Sequence, residues 1–220
     1  MRAFILTLLL TTSAAQAETI YYRVSAGTGF FVNKNGHLVT NAHVVRNCQS
    51  INVLTKNGER PVTLLAEDQT HDLAVLKAED MGGNESAPLR WNISDLRVGD
   101  TVNLFGFPGQ LGATGQATYK HSSVVSLQGP AGEPLWIQLG SVAQKGNSGG
   151  PVLDSTGNVI AVLSGIAQTF RVVGNGGIQG PPIGQSDVAI TLSTLRDFLN
   201  QNAVSYYESS SGLVAYSDSA

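Results

Sequence analysis

The sequence predicts an all-β chain: two six-stranded antiparallel β-barrels followed by one short C-terminal helix. Three observations predict it. Apolar residues fall in short runs separated by turn residues, these runs form two sets on either side of a Pro- and Gly-rich stretch, and helical spacing is sustained only once. Composition agrees with that reading. There are 25 glycines in 220 residues and only 13% charged residues, about half the usual quarter, which favours many turns and short strands. A chain of this length can bury a sizeable core without disulfide or metal staples.

In chain order, the first set of strands is Gly29 to Val32, Leu38 to Thr40, Ile51 to Leu54, Val62 to Leu65, Leu73 to Leu76 and Thr101 to Phe105. Asn33-Lys34-Asn35-Gly36 and Lys56-Asn57-Gly58-Glu59 lie between consecutive runs, where hairpins need residues that tolerate a positive φ. The second set is Ser123 to Leu127, Leu135 to Leu139, Pro151 to Leu153, Val159 to Ser164 and Val188 to Thr191, with Asp154 to Asn158 as a turn inside it. The seam falls near Phe107 to Gly115, so the first barrel is expected over 18–107 and the second over 115–191. Residues 166–187 are rich enough in Gly and Pro to read as a long functional or mobile loop. Leu192, Leu195, Phe198 and Leu199 recur at helical spacing, and Ser193 is placed to cap a helix over 193–201. One domain is therefore expected over 18–202. Residues 203–220 lack apolar periodicity and read as a disordered tail with no room for an appended binding domain.

The first seventeen residues stand apart. Arg2, the apolar run Ala3 to Leu10 and the small-x-small site Ala15-Gln16-Ala17 read as a secretory signal peptide, so the mature chain is expected to start at Glu18 and to be exported, to the periplasm or the medium. The apolar run is about half of the roughly 20 residues a spanning helix needs, and no cysteine lies near the new N-terminus to carry a lipid. No membrane anchor is expected after cleavage. A net charge of -3 without any run of Lys or Arg excludes nucleic acid and anionic membranes as partners. Cys48 is the only cysteine, so no internal disulfide can form, and its place after an apolar stretch reads as a buried, inert thiol. Four scattered histidines, His37, His43, His71 and His121, have no zinc spacing, and neither a metal nor a cofactor is expected.

Three segments can carry chemistry: Thr40-Asn41-Ala42-His43-Val44-Val45, His71-Asp72-Leu73-Ala74-Val75-Leu76-Lys77 and Gly146-Asn147-Ser148-Gly149-Gly150-Pro151. A serine hydroxyl is a poor nucleophile at neutral pH. It needs a base within hydrogen-bond reach and a third group that holds the base in one tautomer, and Ser148, His43 and Asp72 are those residue types. The glycines around Ser148 permit a tight turn, Gly146-Asn147-Ser148, from which the N–H groups of Gly146 and Ser148 can converge on a developing oxyanion. Asp68 and Asp80 read instead as solvated loop charges, and His71 as a surface residue at a strand start.

In that order, the three segments resemble the chymotrypsin-like (trypsin-like) serine proteases, and within them the bacterial HtrA/Deg branch, here without its PDZ domain. The resemblance runs over roughly residues 25 to 199 and takes in Gly27-Thr28-Gly29-Phe30, Gly99-Asp100 and Asn158-Val159-Ile160. It implies a chymotrypsin-like double barrel with His43 and Asp72 from the first barrel and Ser148 from the second. His43 would be general base and then acid, Asp72 its orienter, and Ser148 the nucleophile that cuts peptide bonds of exported proteins through an acyl-enzyme. Asn147 stands where digestive members carry an aspartate, and an amide cannot pair with a freshly cut N-terminus; a site regulated by loop order, or always formed, is expected. By the same resemblance, Ser141 to Lys145, Leu163-Ser164-Gly165-Ile166 and Asp187 to Ile190, including Ala189, wall the substrate pocket. Val142 and Ala143 at its floor favour a small or medium aliphatic side chain. Asp187 is expected as an exposed loop carboxylate; facing inward, it would attract Lys or Arg instead. The partners implied are protein or peptide substrates, and no oligomeric state is assigned. The alternative is a silent or ligand-gated module that binds peptides without cutting them.

Overall fold

The computed structural model describes residues 25–55, 58–79, 85–109, 115–174 and 177–209. The leader expected at 1–17 and the last residues of the chain lie outside them. Five strands form the first sheet: β1 (Phe30–Phe31), β2 (His37–Thr40), β3 (Ile51–Thr55), β4 (Gly58–Asp68) and β5 (Leu73–Lys77), in the spatial order β1-β2-β5-β4-β3. A four-residue helix, α1 (Ala42–Val45), follows β2. This sheet curls as a half-barrel. Its central strand β5 is apolar without interruption because both its faces are covered: Leu73 and Val75 join one cluster, Ala74 and Leu76 another. Each fully buried leucine of this kind stabilises the fold by about 1.5–3 kcal/mol.

The second sheet contains β6 (Leu89–Arg90), β7 (Thr101–Gly106), β8 (Thr118–Ser126), β9 (Trp136–Leu139), β10 (Pro151–Leu153), β11 (Val159–Val173), β12 (Gly177–Thr191) and β13 (Glu208–Ser209). The strands β10-β7-β8-β9-β12-β11 are neighbours in that order, and β10 also pairs with β11, so six strands close into a barrel. Closure removes the free edges that an open sheet would leave. Val102, Leu104, Val124, Ile137, Leu139, Val152, Ala161, Leu163 and Ala189 fill its interior. Helix α2 (Leu192–Gln201) buries Leu192, Leu195, Phe198 and Leu199 in a cluster that also holds Phe30, Val39, Leu73 and Val75 of the first sheet. One continuous core thus joins the two halves and fixes the cleft between them. Among the described residues no helix is long and apolar enough to cross a membrane.

Five expectations are corrected. Thr101 to Phe105, expected as the last strand of the first barrel, lies in β7 of the closed barrel, because its ladder partners are β8 and β10 further along the chain. Residues 166–187 are not an irregular loop but an antiparallel ribbon that prolongs β11 and β12, with pairs from Ile166↔Asp187 to Val173↔Gly177. Its prolines fall where the ladder skips from Thr169↔Gly184 to Arg171↔Gln179, so neither has to supply a ladder N–H. The helix is capped by Thr191, whose hydroxyl accepts from the Thr194 N–H, because β12 delivers Leu192 directly into the core; Ser193 is already inside the first turn. Residues 203–209, expected in the tail, pack back on the body: Val204 is buried, the Tyr207 N–H donates to the Val32 carbonyl at 3.2 Å, and β13 pairs in parallel with β6. Those partners lie far away in sequence, where local periodicity carries no signal. Cys48 is exposed, since the chain turns outward after α1.

Candidate active site

His43 lies in α1, immediately after β2, and Asp72 immediately before β5, the strand that pairs with β2; the register Thr40↔Ala74 brings the two segments side by side. The Asp72 carbonyl accepts from the Ala42 N–H at 3.2 Å and from Asn41 Nδ2 at 2.9 Å, which locks the crossing. Asp72 itself sits at φ 56°, the left-handed region that aspartate tolerates better than most residues. Its Oδ1 accepts from the His43 N–H at 2.9 Å, and its Oδ2 lies 2.8 Å from His43 Nδ1. An ionised carboxylate only accepts hydrogen bonds, so Nδ1 carries the proton and Nε2 is left as the basic nitrogen.

A further donor completes Asp72. The Ser164 hydroxyl, from β11 of the other barrel, gives Oδ2 a 2.7 Å hydrogen bond. Burial pushes this carboxyl up, but the hydrogen bonds from His43 and Ser164 outweigh burial and hold it below the ordinary carboxylate value. Sequence reasoning put Ser164 only in the pocket wall. A contact 92 positions away in the chain has no spacing signature.

Ser148 occupies a turn just before β10 that two glycines make possible. Gly146 has φ 103°, and a Cβ there would lie 2.8 Å from the Phe107 carbonyl oxygen; at Gly149, φ 85°, a Cβ would strike the Thr28 carbonyl and the Thr40 hydroxyl. The turn is held from outside: the Thr28 N–H donates to the Ser148 carbonyl at 2.8 Å, the Thr28 hydroxyl to the Gly146 carbonyl at 2.8 Å, and the Gly149 N–H to the Leu163 carbonyl at 2.8 Å. Among the described residues, the N–H groups of Gly146 and Ser148 have no partner. The Asn147 N–H donates back to the Gln144 carbonyl at 3.0 Å, so of the three residues assigned to the oxyanion turn it is the one whose amide is committed elsewhere. The Asn147 side chain is buried, and neither of its polar atoms finds a partner.

A cavity of about 320 Å³ is lined by His43, Ala143, Gln144, Lys145, Ser148, Leu163, Ser164, Gly165 and Ile166. It brings His43 and Ser148 to one cleft, with no hydrogen bond between them among the described residues. Of the expected pocket walls, Ala143 to Lys145 and Leu163 to Ile166 line it. Val142 packs against the barrel core, Ala189 is within that core, and Asp187 is fully buried behind the wall rather than exposed. Its Oδ2 accepts the N–H groups of Val142 and Ala143 at 2.8 and 2.7 Å, and burial raises its carboxyl above the ordinary value despite them. The other acids stay apart: Asp68 engages His71, 2.5 Å away, and Asp80 lies outside the described residues. Among the described residues no group of three or more His, Cys, Asp or Glu is placed to hold a metal ion.

A closed barrel and a half-barrel sharing one core, with a serine turn and a His–Asp pair facing each other across the seam, is the architecture of trypsin-like peptidases. Residues 27–162 match the trypsin-like peptidase domain, and the chain belongs to that family. More particularly, it is similar to proteases of the HtrA and DegP kind. It is 36% identical over 152 residues to a probable periplasmic serine endoprotease, DegP-like, of Bartonella henselae, covering 65% of this chain and 28% of that one. It is 37% identical over 152 residues to the human serine protease HTRA4, covering 64% and 30%. The solved structure of the HtrA-type protease AlgW with a tripeptide superposes with a TM-score of 0.63 at 26% identity, over 80% of this chain and 55% of that one. The chain spans less than a third of the length of these two curated relatives.

Proposed function

We propose that the protein is a serine endopeptidase that cuts peptide bonds in exported proteins through a Ser148–His43–Asp72 triad and an acyl-enzyme. The observation that carries this reading is the His43–Asp72 pair at 2.8 Å on the same cleft as Ser148. Ser148 Oγ adds to the carbonyl carbon of the scissile peptide while its proton passes to His43 Nε2. The oxyanion lies between the N–H groups of Gly146 and Ser148, which are fixed in advance and unoccupied. His43 then gives the proton to the leaving amine, the C–N bond breaks, and water, deprotonated by the same imidazole, releases the acyl group. Asp72, ionised far below neutral pH, keeps Nδ1 protonated and stabilises the imidazolium. The apolar lining by Ala143, Leu163 and Ile166 favours a small or medium aliphatic side chain before the bond that is cut. Export to the periplasm or medium rests on the leader at 1–17 and on the relatives named as periplasmic.

A ligand-gated site is the second reading, favoured by one observation: Ser148 and His43 share the cleft without a hydrogen bond. Such contacts are often loose before substrate arrives, so ligand would complete this one. The test is reaction of the protein and of Ser148→Ala with a fluorophosphonate, read by intact mass. One adduct on the native chain and none on the variant supports the assembled site. Labelling that appears only when an unfolded protein is added selects the gated reading, and no labelling under either condition overturns both.

A further inference from the structure

Asp187 is a fully buried carboxylate that this mechanism does not use. It sits in β12 opposite Leu139 of β9 and Ile166 of β11. Those are the places where the two walls of the cleft begin and end: Leu139 leads through Gly140 into 141–145, and Ile166 closes 163–166. The wall 141–145 has no regular secondary structure, so nothing in a ladder holds its amides. Two consecutive N–H groups, those of Val142 and Ala143, are both taken by Asp187 Oδ2. Its other oxygen is buried, and among the described residues it has neither a hydrogen-bond partner nor a cation in ion-pair contact. A buried acceptor left unsatisfied is costly. What the arrangement supplies in return is a fixed backbone at the floor of the pocket, one residue of which, Ala143, lines the cleft.

We propose that Asp187 is the specificity-determining positioning residue of this enzyme: by pinning the Val142–Ala143 floor from behind, it keeps the pocket shallow and suited to a small aliphatic side chain. The proposal rests on the endopeptidase reading above. A carboxylate recruited for charge would line the cavity and present a free oxygen to an incoming Lys or Arg. Asp187 instead lies behind the wall, with the oxygen nearest the cleft residues capped by two amides. Replacing it by a smaller side chain frees the floor to retreat, so larger side chains gain entry and small ones lose contact.

The experiment uses the full chain, with fluorophosphonate labelling of Ser148 to count competent sites, and peptides that differ only in the residue before the scissile bond: Ala, Val, Leu, Phe, Lys and Arg. The native enzyme is expected to favour Ala and Val over Phe, Lys and Arg by about 10-fold or more in kcat/KM, a normal discrimination for an apolar pocket. Asp187→Ala should raise KM for the Ala and Val peptides by about 10-fold, with kcat changed less, and move the preference toward Leu and Phe. Asp187→Asn, which keeps the shape and an acceptor oxygen, should restore the native preference. Should Asp187→Ala fail to fold, the Asn variant decides: retention of the small-aliphatic preference supports the proposal and its loss overturns it. A native preference for Lys or Arg that vanishes in Asp187→Asn also overturns it, in favour of a charge selector. An unlabelled native enzyme defeats the endopeptidase reading itself, whereas the peptide panel on a labelled enzyme bears on Asp187 alone.

Discussion

Asp72 and Asp187 are two carboxylates beside one cleft, the first half-buried and the second fully buried, and they shift in opposite directions. Desolvation is the largest influence on both and pushes both up. The difference lies in their donors. Asp72 has both oxygens engaged, by the His43 amide, the His43 ring and the Ser164 hydroxyl. Asp187 has two amides on one oxygen and none on the other, and Lys120 acts on it only from a distance. Burial alone therefore does not decide which way a carboxyl shifts in this fold; the number and arrangement of donors does. The half-barrel side holds a carboxylate built to keep its charge beside a histidine. The closed-barrel side holds one built to tie down backbone.

The largest effects test the chemical half of that contrast. Ser148→Ala should lower kcat on the order of 10⁶-fold, as removal of the nucleophile does in triad enzymes; a variant that keeps even a hundredth of native turnover would show that another residue attacks. Asp72→Asn should lower kcat by about 10⁴-fold while the protein stays folded, because an amide side chain can hold the ring in the wrong tautomer. Asp187→Asn, measured beside it on the same peptide, should cost far less. Equal losses in the two variants would end the distinction between a charge-holding and a backbone-holding acid. A smaller effect is expected for Ser164→Ala, about 10-fold in kcat, since it deletes one of the hydrogen bonds on a carboxylate that keeps His43 as donor. Loss of that donor should also raise the Asp72 carboxyl toward its ordinary value, read by titrating the Asp72 side chain by NMR in the variant and the native protein.

How much of this could be read in advance depends on the distance over which each contact acts. His43, Asp72 and Ser148 stand in short motifs whose residue types suit the proposed chemistry, and most strands are bounded by turn residues, so the candidate residues and the strands were legible. Ser164 was legible as pocket wall but not as a donor to Asp72, because that bond crosses from β11 to the other barrel. Asp187 was misread as exposed because charge and Gly-Pro surroundings favour solvent on average, whereas here two amides 44 and 45 residues earlier receive it. The ribbon over 166–187 failed for a related reason. Its composition signals a loop, but each half is the other's nearest partner, and strand pairing overrides propensity. Gly149 shows the opposite case: the motif demanded small residues, and the Thr28 carbonyl and Thr40 hydroxyl supply the steric cause.

The smallest expected effect isolates the electrostatic contrast from catalysis. Asp72 has a folded-state value below the unfolded 3.8, so it contributes stability that is present above the unfolded value and is lost as pH falls through the folded one. Asp187 has a folded-state value above 3.8, so its contribution is full below the unfolded value and is lost as pH rises through the folded one. Neutralising each in turn, as Asp72→Asn and Asp187→Asn, and comparing Tm with the native protein at about pH 3 and about pH 7 reads the two signs directly. Relative to native, Asp72→Asn should look worse at the higher pH, and Asp187→Asn should look better there, with shifts of a few degrees in a chain of this size. Each protein is its own control for the cavity or shape change, because only the pH-dependent part of the difference enters. If both variants drift in the same direction, the donors counted on Asp72 and Asp187 do not govern their ionisation, and burial, common to both, is the stronger influence after all.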